Sequence, residues 1–348
     1  MIKFIKPLLF LIVVLSQIDV VMSQELKRYE FESQQMGTTF QIILYAVDDS
    51  LAYSASKQAF ATIDSLNSIL SDYIPASELN RLSLSSGSGQ AVHVSAPLFE
   101  LLQKSAAISE ETNGWFDVTI GPFTHIWRGL NRMSDPALPS ESELANAASR
   151  VGHKYIRLDE ASRSVELQAR NIRLDPGGIG KGFASDKALE TLKESGITRA
   201  LVDAGGDISA GDPPPGKDGW SVAIPIRFDV DSTQYEELII ANCAVNTSGS
   251  LYQSVEIDGV TYSHIINPKT GLGHTEQVQV SVIARDGAEA DALATALSAM
   301  PETDAQNFVT KRAGIEGVMF RKRENGTATI AFSDIAGVGS LTEVIVQP

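Results

Sequence analysis

The chain of 348 residues is 43% hydrophobic and 20% charged, ordinary values for a folded protein and enough for a large core in one big domain or two lobes. Its formal charge of −15 argues against nucleic acid as a partner, because no basic patch offsets a phosphate backbone. One cysteine, Cys243, excludes an intramolecular disulfide framework, and no Cys/His spacing points to zinc.

Residues 1–23 carry the marks of a secretory signal. Lys3 and Lys6 supply the positive start and Pro7–Leu15 the apolar run. Val21-Met22-Ser23 places small residues where a signal peptidase reads, with cleavage expected before Gln24. The other reading is a retained anchor, although the run is short for a spanning helix. Residues 24–348 are expected to form one domain of an exported protein.

Tyr29–Ala46 reads as two strands around a turn at Met36-Gly37-Thr38-Thr39. Ala55, Ala59, Ile63, Leu66, Ile69 and Leu70 recur at helical spacing, which predicts an amphipathic helix over 51–71. A loop and short helix follow to Ser83, then a Ser/Gly-rich loop to Gln90. Pro97–Thr112 is a second helix. After its glycine stop, Trp115-Phe116-Asp117 forms either a packing corner or a wall for a flat ring. Pro139-Ser140 with Glu143 is a capping-box start for a helix to about Arg150. Tyr155–Leu158 and Val165–Leu167 form a hairpin that feeds the most informative stretch of the chain.

That stretch, Ile172–Asp186, reads IRLDPGGIGKGFASD. A short strand is expected at Ile172-Arg173-Leu174, then Asp175, then a turn holding Gly177, Gly178, Gly180 and Gly182 with Lys181 inside it. A helix is expected from about Phe183 to Glu194, stopped by Gly196. Glycines allow close approach, free N–H groups point inward and a helix N-terminus adds partial positive charge, which together suit a phosphate. The spacing matches neither the P-loop nor the G-x-G-x-x-G fingerprint, so a tight structural turn stands as the other reading.

Arg199–Ala204 is a strand ending in Gly205-Gly206-Asp207, and further strands are expected at Gly219–Ile224, Glu237–Val245 and Val278–Ala284. Cys243 reads as a buried strand residue, and Asn246–Ser250 as a turn. Ala288–Ala299 and Thr303–Arg312 are helices, and Ile315–Arg321 and Thr327–Phe332 are closing strands. Strands and helices are mixed without regular alternation, so the fold class is α+β rather than a doubly wound sheet.

Two further features bear on chemistry. Asp291 and Thr295 are four apart on a helix of alanines and leucines, so their oxygens project from one face. They are either two ligands for a hard cation such as Mg²⁺, or a first-turn aspartate and a threonine bonded back to its own helix. His264, before Ile-Ile-Asn-Pro, is either a general base near neutral pH or a hydrogen-bonded structural histidine.

In their order along the chain these stretches resemble the FAD:protein FMN transferase family, the ApbE-like flavin transferases. The resemblance is carried by Met36-Gly37-Thr38, Tyr73 with Ser77-Glu78, Gly114–Asp117, Leu174-Asp175 through Ala184, Gly205-Gly206-Asp207, Thr247-Ser248-Gly249, His264–Pro268 with Thr270-Gly271, and Ala290-Asp291 with Thr295. It implies an α+β fold, mixed or antiparallel sheets with flanking helices, in two lobes around a flavin-binding cleft. It implies FAD as substrate, Mg²⁺ at the pyrophosphate, and transfer of FMN to a Thr or Ser of an acceptor protein with loss of AMP. Met36, Tyr73, Trp115, Phe116, Asp117, Gly177, Lys181, Phe183, His264 and Ile266 would contact FAD, while Asp291, Thr295 and the carbonyl of Gly180 would hold the metal. His264, Lys181 and Asp291 would carry the catalysis. Trp115 stands where the family more often has a small residue, Gly180 where it often has alanine, and Asn267 where aspartate is common. The expected acceptors are membrane redox subunits facing outward. Two other functions fit the same residues: an Mg²⁺-dependent FAD pyrophosphatase, with water in place of the acceptor hydroxyl, and a non-catalytic exported FAD-binding protein.

Overall fold

The two strands expected at the start form a hairpin, with β1 (Lys27–Gln35) and β2 (Thr38–Ala46) in antiparallel register from Lys27↔Ala46 to Gln35↔Thr38. The computed structural model describes residues 25–229, 232–250, 254–323 and 326–332, so the signal segment expected over 1–23 lies outside the described residues. Among the described residues, no helix is long and apolar enough to cross a membrane.

After the hairpin come α1 (Asp49–Leu70), α2 (Glu78–Leu84), β3 (Val92–His93), α3 (Ala96–Glu111), α4 (Gly121–Leu130), α5 (Glu141–Ala148), β4 (Ile156–Asp159) and β5 (Ser164–Leu167). The middle of the chain supplies α6 (Gly180–Glu194), β6 (Ala200–Ala204), β7 (Ile208–Ala210), β8 (Trp220–Asp229), β9 (Ser232–Ile240) and β10 (Cys243–Gly249). The last part supplies β11 (Ser254–Ile257), β12 (Val260–Ser263), β13 (Val278–Ala284), α7 (Gly287–Ala299), α8 (Glu302–Lys311), β14 (Glu316–Arg323) and β15 (Gly326–Phe332).

Eight strands form one sheet in the order β1-β2-β6-β7-β10-β13-β14-β15, every neighbouring pair antiparallel. Strand side chains alternate between faces, and here both faces are covered. Ile42, Val202, Ala244, Val280 and Val282 face α1, α6 and α7 in the main core. Leu201, Ile208, Val245, Ile283 and Phe320 face the other way and pack on Trp220, Val222 and Leu238 of the β8–β9 hairpin. A smaller cluster joins Phe123 and Trp127 of α4 to Ile257 and Ile266. The mixed, antiparallel α+β architecture expected from the sequence is the one observed.

Five local points differ from the expectations. Ile172–Leu174 is not a strand: Leu174 N–H donates to Ser83 Oγ of α2 (3.2 Å) and Asp175 N–H to Val118 O (2.7 Å), so the segment is held by single bonds to a helix and a loop. Helix α6 starts at Gly180 rather than Phe183. Helix α4 was not anticipated, although Pro122 lies in its first turn and Phe123, Trp127 and Leu130 share its buried face. Asn246–Gly249 is not a turn but the end of β10, registered on β13 from Ala244↔Ala284 to Gly249↔Gln279. Glu237–Val245 is consequently two strands, broken at Asn242, whose φ is +52°.

Candidate functional site

The glycine turn is set from its two ends. Asp175 accepts hydrogen bonds from Gly177 N–H (2.9 Å), Thr124 Oγ1 (2.7 Å) and Arg128 Nη2 (2.9 Å), which fixes the turn's entrance against α4. Pro176 O then accepts from Ile179 N–H (3.0 Å) and Gly180 N–H (2.8 Å), winding the chain into α6. No side chain of α6's own N-cap residue, Ile179, satisfies the first turn.

That task falls to the neighbouring helix. Gly182 N–H donates to Asp291 Oδ2 at 3.1 Å, a capping contact made from α7. In return Asp186 of α6 accepts from Gly287 N–H (2.7 Å) and Ala288 N–H (3.0 Å) at the start of α7, and from Ser209 Oγ (2.8 Å). Each helix thus lends a carboxylate to the other's N-terminus. The exchange needs very close helices, and glycine makes it possible. A methyl group on Gly182 would lie 2.0 Å from Gly287 O, and one on Gly178 would lie 2.7 Å from Thr295 Oγ1. The two stretches singled out in the sequence, Gly177–Lys181 and Asp291 with Thr295, are therefore packed directly on each other.

Burial pushes the Asp186 carboxyl up to about 6, against the lowering effect of the Ala288 and Gly287 N–H groups and of Ser209. A raised carboxyl favours the folded state below its unfolded value and loses that contribution as pH rises through the folded value. Wild-type stability should therefore fall by about 2–3 kcal/mol relative to Asp186→Asn between pH 4 and pH 7. Denaturant unfolding of both proteins across this range checks the sign.

Asp291 is 6% exposed, and burial raises its carboxyl, opposed by the Lys181 charge and by the backbone N–H groups of Gly182 and Lys181. Among the described residues no ion pair reaches it, and no hydrogen bond is made by Thr295 Oγ1, so the threonine is not bonded back to its own helix. A carboxylate and a hydroxyl on one helix face fit a hard cation that retains water and phosphate ligands, and a helical carbonyl such as that of Gly180 keeps one lone pair free for a third contact. Among the described residues there is no group of three or more His, Cys, Asp and Glu that could hold a metal by themselves.

Lys181 Nζ is ion-paired with Asp207 Oδ2, whose side chain is almost wholly buried. Lys181 is expected at the site from the sequence; Asp207 is not. The pair is set by the β6–β7 turn, where Gly206 N–H donates to Asp203 Oδ1 (2.7 Å). Burial raises the Asp203 carboxyl, opposed by the Gly206 and Gly205 N–H groups and the Lys181 charge. Met36 (φ +46°) is on the β1–β2 turn, and Phe40↔Ala204 in the β2–β6 ladder brings that turn to the same end of the sheet as Asp207.

The remaining expected ligand residues divide. Tyr73 is 69% exposed under the Arg128 guanidinium, 4.4 Å from its ring centroid. Both line a cavity of about 250 Å³ with Asp72, Thr124, His125 and Arg173. Arg128 also bonds Asp72, so one guanidinium ties the Tyr73 loop to Asp175 and the glycine turn. Trp115 carries Lys269 Nζ 5.6 Å from its ring, and the same ammonium donates to Asn113 O (2.6 Å). The loop after His264 is thereby held beside Trp115, and Trp127 Nε1 donates to Gly271 O (2.8 Å) from α4. His264 is exposed on this loop.

Phe183, Phe116, Ile266 and Asp117 face inward. Phe183 is wholly buried in the main core, and Phe116 and Ile266 are core side chains as well. Asp117 accepts from Thr119 N–H (2.9 Å), Thr119 Oγ1 (2.7 Å) and His153 N–H (2.7 Å).

The ApbE family model matches residues 36–319. The chain belongs to the ApbE family. The match runs from Met36 in the first turn to Met319 in β14 and takes in every site residue named above. The chain is similar to the FAD:protein FMN transferase of Klebsiella pneumoniae, 29% identical over 303 residues, covering 86% of this chain and 85% of that protein. It is similar to the FAD:protein FMN transferase of Treponema pallidum, 31% identical over 288 residues and covering 78% of each chain. Its fold matches the flavin transferase ApbE of Vibrio cholerae with a TM-score of 0.78 at 24% identity, over 89% of this chain and 98% of that one.

Proposed function

We propose that this ApbE protein transfers the FMN half of FAD to a Thr or Ser hydroxyl of an acceptor protein and releases AMP. The observation that supports the reading is the contact between the glycine turn and the Asp291–Thr295 face, which brings together a helix N-terminus, the Lys181 ammonium, a carboxylate and a hydroxyl. FAD's pyrophosphate resists attack because its oxygens repel a nucleophile. Asp291, Thr295 and the Gly180 carbonyl would hold Mg²⁺, which when bound neutralises that charge and eases departure of the phosphate monoester.

The chain's own residues do the rest. The first turn of α6 directs partial positive charge at the phosphates, and Lys181 adds a full charge. The exposed Tyr73 ring and the half-buried Trp115 ring would take the flat groups of FAD. The acceptor oxygen attacks the flavin-side phosphorus, the bond to the AMP phosphate breaks, and the hydroxyl proton passes to His264. Replacing His264 by alanine is expected to slow transfer by ~10²–10⁴-fold with FAD affinity retained, as loss of a general base does. Single-turnover transfer and flavin fluorescence titration separate the two, and lost affinity with normal transfer would make His264 a binding residue.

The reaction is tested by its stoichiometry. With FAD, Mg²⁺ and an acceptor domain bearing an exposed Thr, AMP released should equal FMN attached to protein. AMP matched by free FMN would make the protein an FAD pyrophosphatase. Lys3, Lys6 and the apolar run after them support export, and hence acceptors that are membrane redox subunits facing outward.

A further inference from the structure

Asn246 is used by nothing described so far. It is 1% exposed, and neither its Nδ2 nor its Oδ1 has a hydrogen-bond partner among the described residues. Burying an amide unpaired is unfavourable, and nearly all such groups in folded proteins find partners. The position of this one is informative. In the β7–β10 ladder Ala244 faces Ser209 and Val245 faces Ile208, so the next step sets Asn246 opposite Asp207. Val245 and Ile208 point into the hairpin-side core and Ala244 into the helix-side core. By alternation, Asn246 and Asp207 share the helix face, the face on which Lys181 meets the Asp207 carboxylate. Across its other edge Asn246 is registered on Val282, which has only an apolar side chain to offer.

Lys181 has two demands on it. In this structure it neutralises Asp207, and in the proposed transfer reaction, on which this inference rests, it neutralises the FAD pyrophosphate. Moving to the phosphates leaves a buried carboxylate without its counter-charge. We infer that Asn246 is the standby donor for Asp207: its Nδ2–H bonds the carboxylate when Lys181 turns to the substrate, and releases it when Lys181 returns. A neutral amide suits the task. A second cation would hold Asp207 permanently, and a second carboxylate would hold Lys181 back from the phosphates. Asn246 is thus a positioning residue that acts through Lys181 and touches neither substrate nor metal.

The test is a double-mutant cycle in the full chain, read by flavin fluorescence titration of FAD affinity, with melting temperature followed alongside. Asn246→Ala should weaken FAD binding by on the order of tenfold, the equivalent of one lost hydrogen bond to a charged group. Asp207→Asn removes the charge that needs a standby donor, so adding Asn246→Ala in that background should change affinity less than about twofold. Asn246→Thr keeps a short donor and should restore binding, which also covers the case in which the alanine variant folds poorly. Unchanged affinity in Asn246→Ala, or a tenfold loss that persists beside Asp207→Asn, would overturn the inference and leave Asn246 to a buried water or to packing. Lys181→Ala is the separate control: if it leaves FAD affinity unchanged, the use of Lys181 in the proposed reaction fails, and the standby role fails with it.

Discussion

Asp291→Ala is expected to reduce FMN transfer by at least ~10³-fold, the scale seen when a preorganised charge-stabilising group is removed from an active site. The carboxylate is the only acidic side chain on the α7 face that packs on the glycine turn, and burial makes its ionised form expensive unless a cation compensates. It also caps α6 through Gly182 N–H, so the alanine variant should lose about 1 kcal/mol of stability as well. The two roles separate in Asp291→Asn, which keeps an acceptor for the N–H but not the charge. That variant should melt near the wild-type temperature and remain inactive at saturating Mg²⁺. Near-normal turnover in Asp291→Asn would remove the metal assignment while leaving the capping role intact.

The second large effect is structural. Gly182→Ala should destabilise the protein by about 3 kcal/mol, the upper range for overpacking a tight core, and abolish transfer. The added methyl would meet the Gly287 carbonyl oxygen at 2.0 Å and Asp291 Cβ at 2.9 Å, and backbone cannot swing aside as a flexible side chain can. Helices α6 and α7 would have to separate, breaking the exchange of caps between Asp291 and Asp186. Two residues away, a methyl on Gly180 would meet only Pro176 Cβ at 3.8 Å, an ordinary contact. Gly180→Ala should therefore stay within about 0.5 kcal/mol of wild type in denaturant unfolding. Intrinsic helix preference favours alanine over glycine at both positions, so equal stability changes at the two would mean that the helix crossing does not set Gly182 apart.

How far the sequence discloses this site follows from which interactions are local. The four-residue spacing of Asp291 and Thr295 fixes their common face through helix geometry alone, and the density of glycines around Lys181 announces a close approach without naming the partner. The partner is 109 residues away at Asp291, and no local pattern carries that distance. The same holds for Asp207, which meets Lys181 only because β6 and β7 turn back under α6. Pro122 with Phe123, Trp127 and Leu130 is a local helix signal, and it marks α4. Other differences reflect competition between local preference and the sheet. Asn246-Thr247-Ser248-Gly249 has turn composition, yet Thr247 Oγ1 and Ser281 Oγ lie 2.8 Å apart across the ladder, so polar residues continue β10 where solvent would ordinarily claim them. The resemblance implies Phe183 at the ligand, and the start of α6 at Gly180, about one turn earlier than expected, goes with a Phe183 ring in the core.

The most direct test of FMN transfer at the α6–α7 crossing is the intact mass of an acceptor domain with an exposed Thr, after incubation with this protein, FAD and Mg²⁺. A gain of one FMN is predicted, absent when EDTA is added and absent with Asp291→Ala. A gain that persists under both conditions would contradict the metal-assisted site, and bound FAD that is never cleaved with any of several acceptors would contradict catalysis altogether.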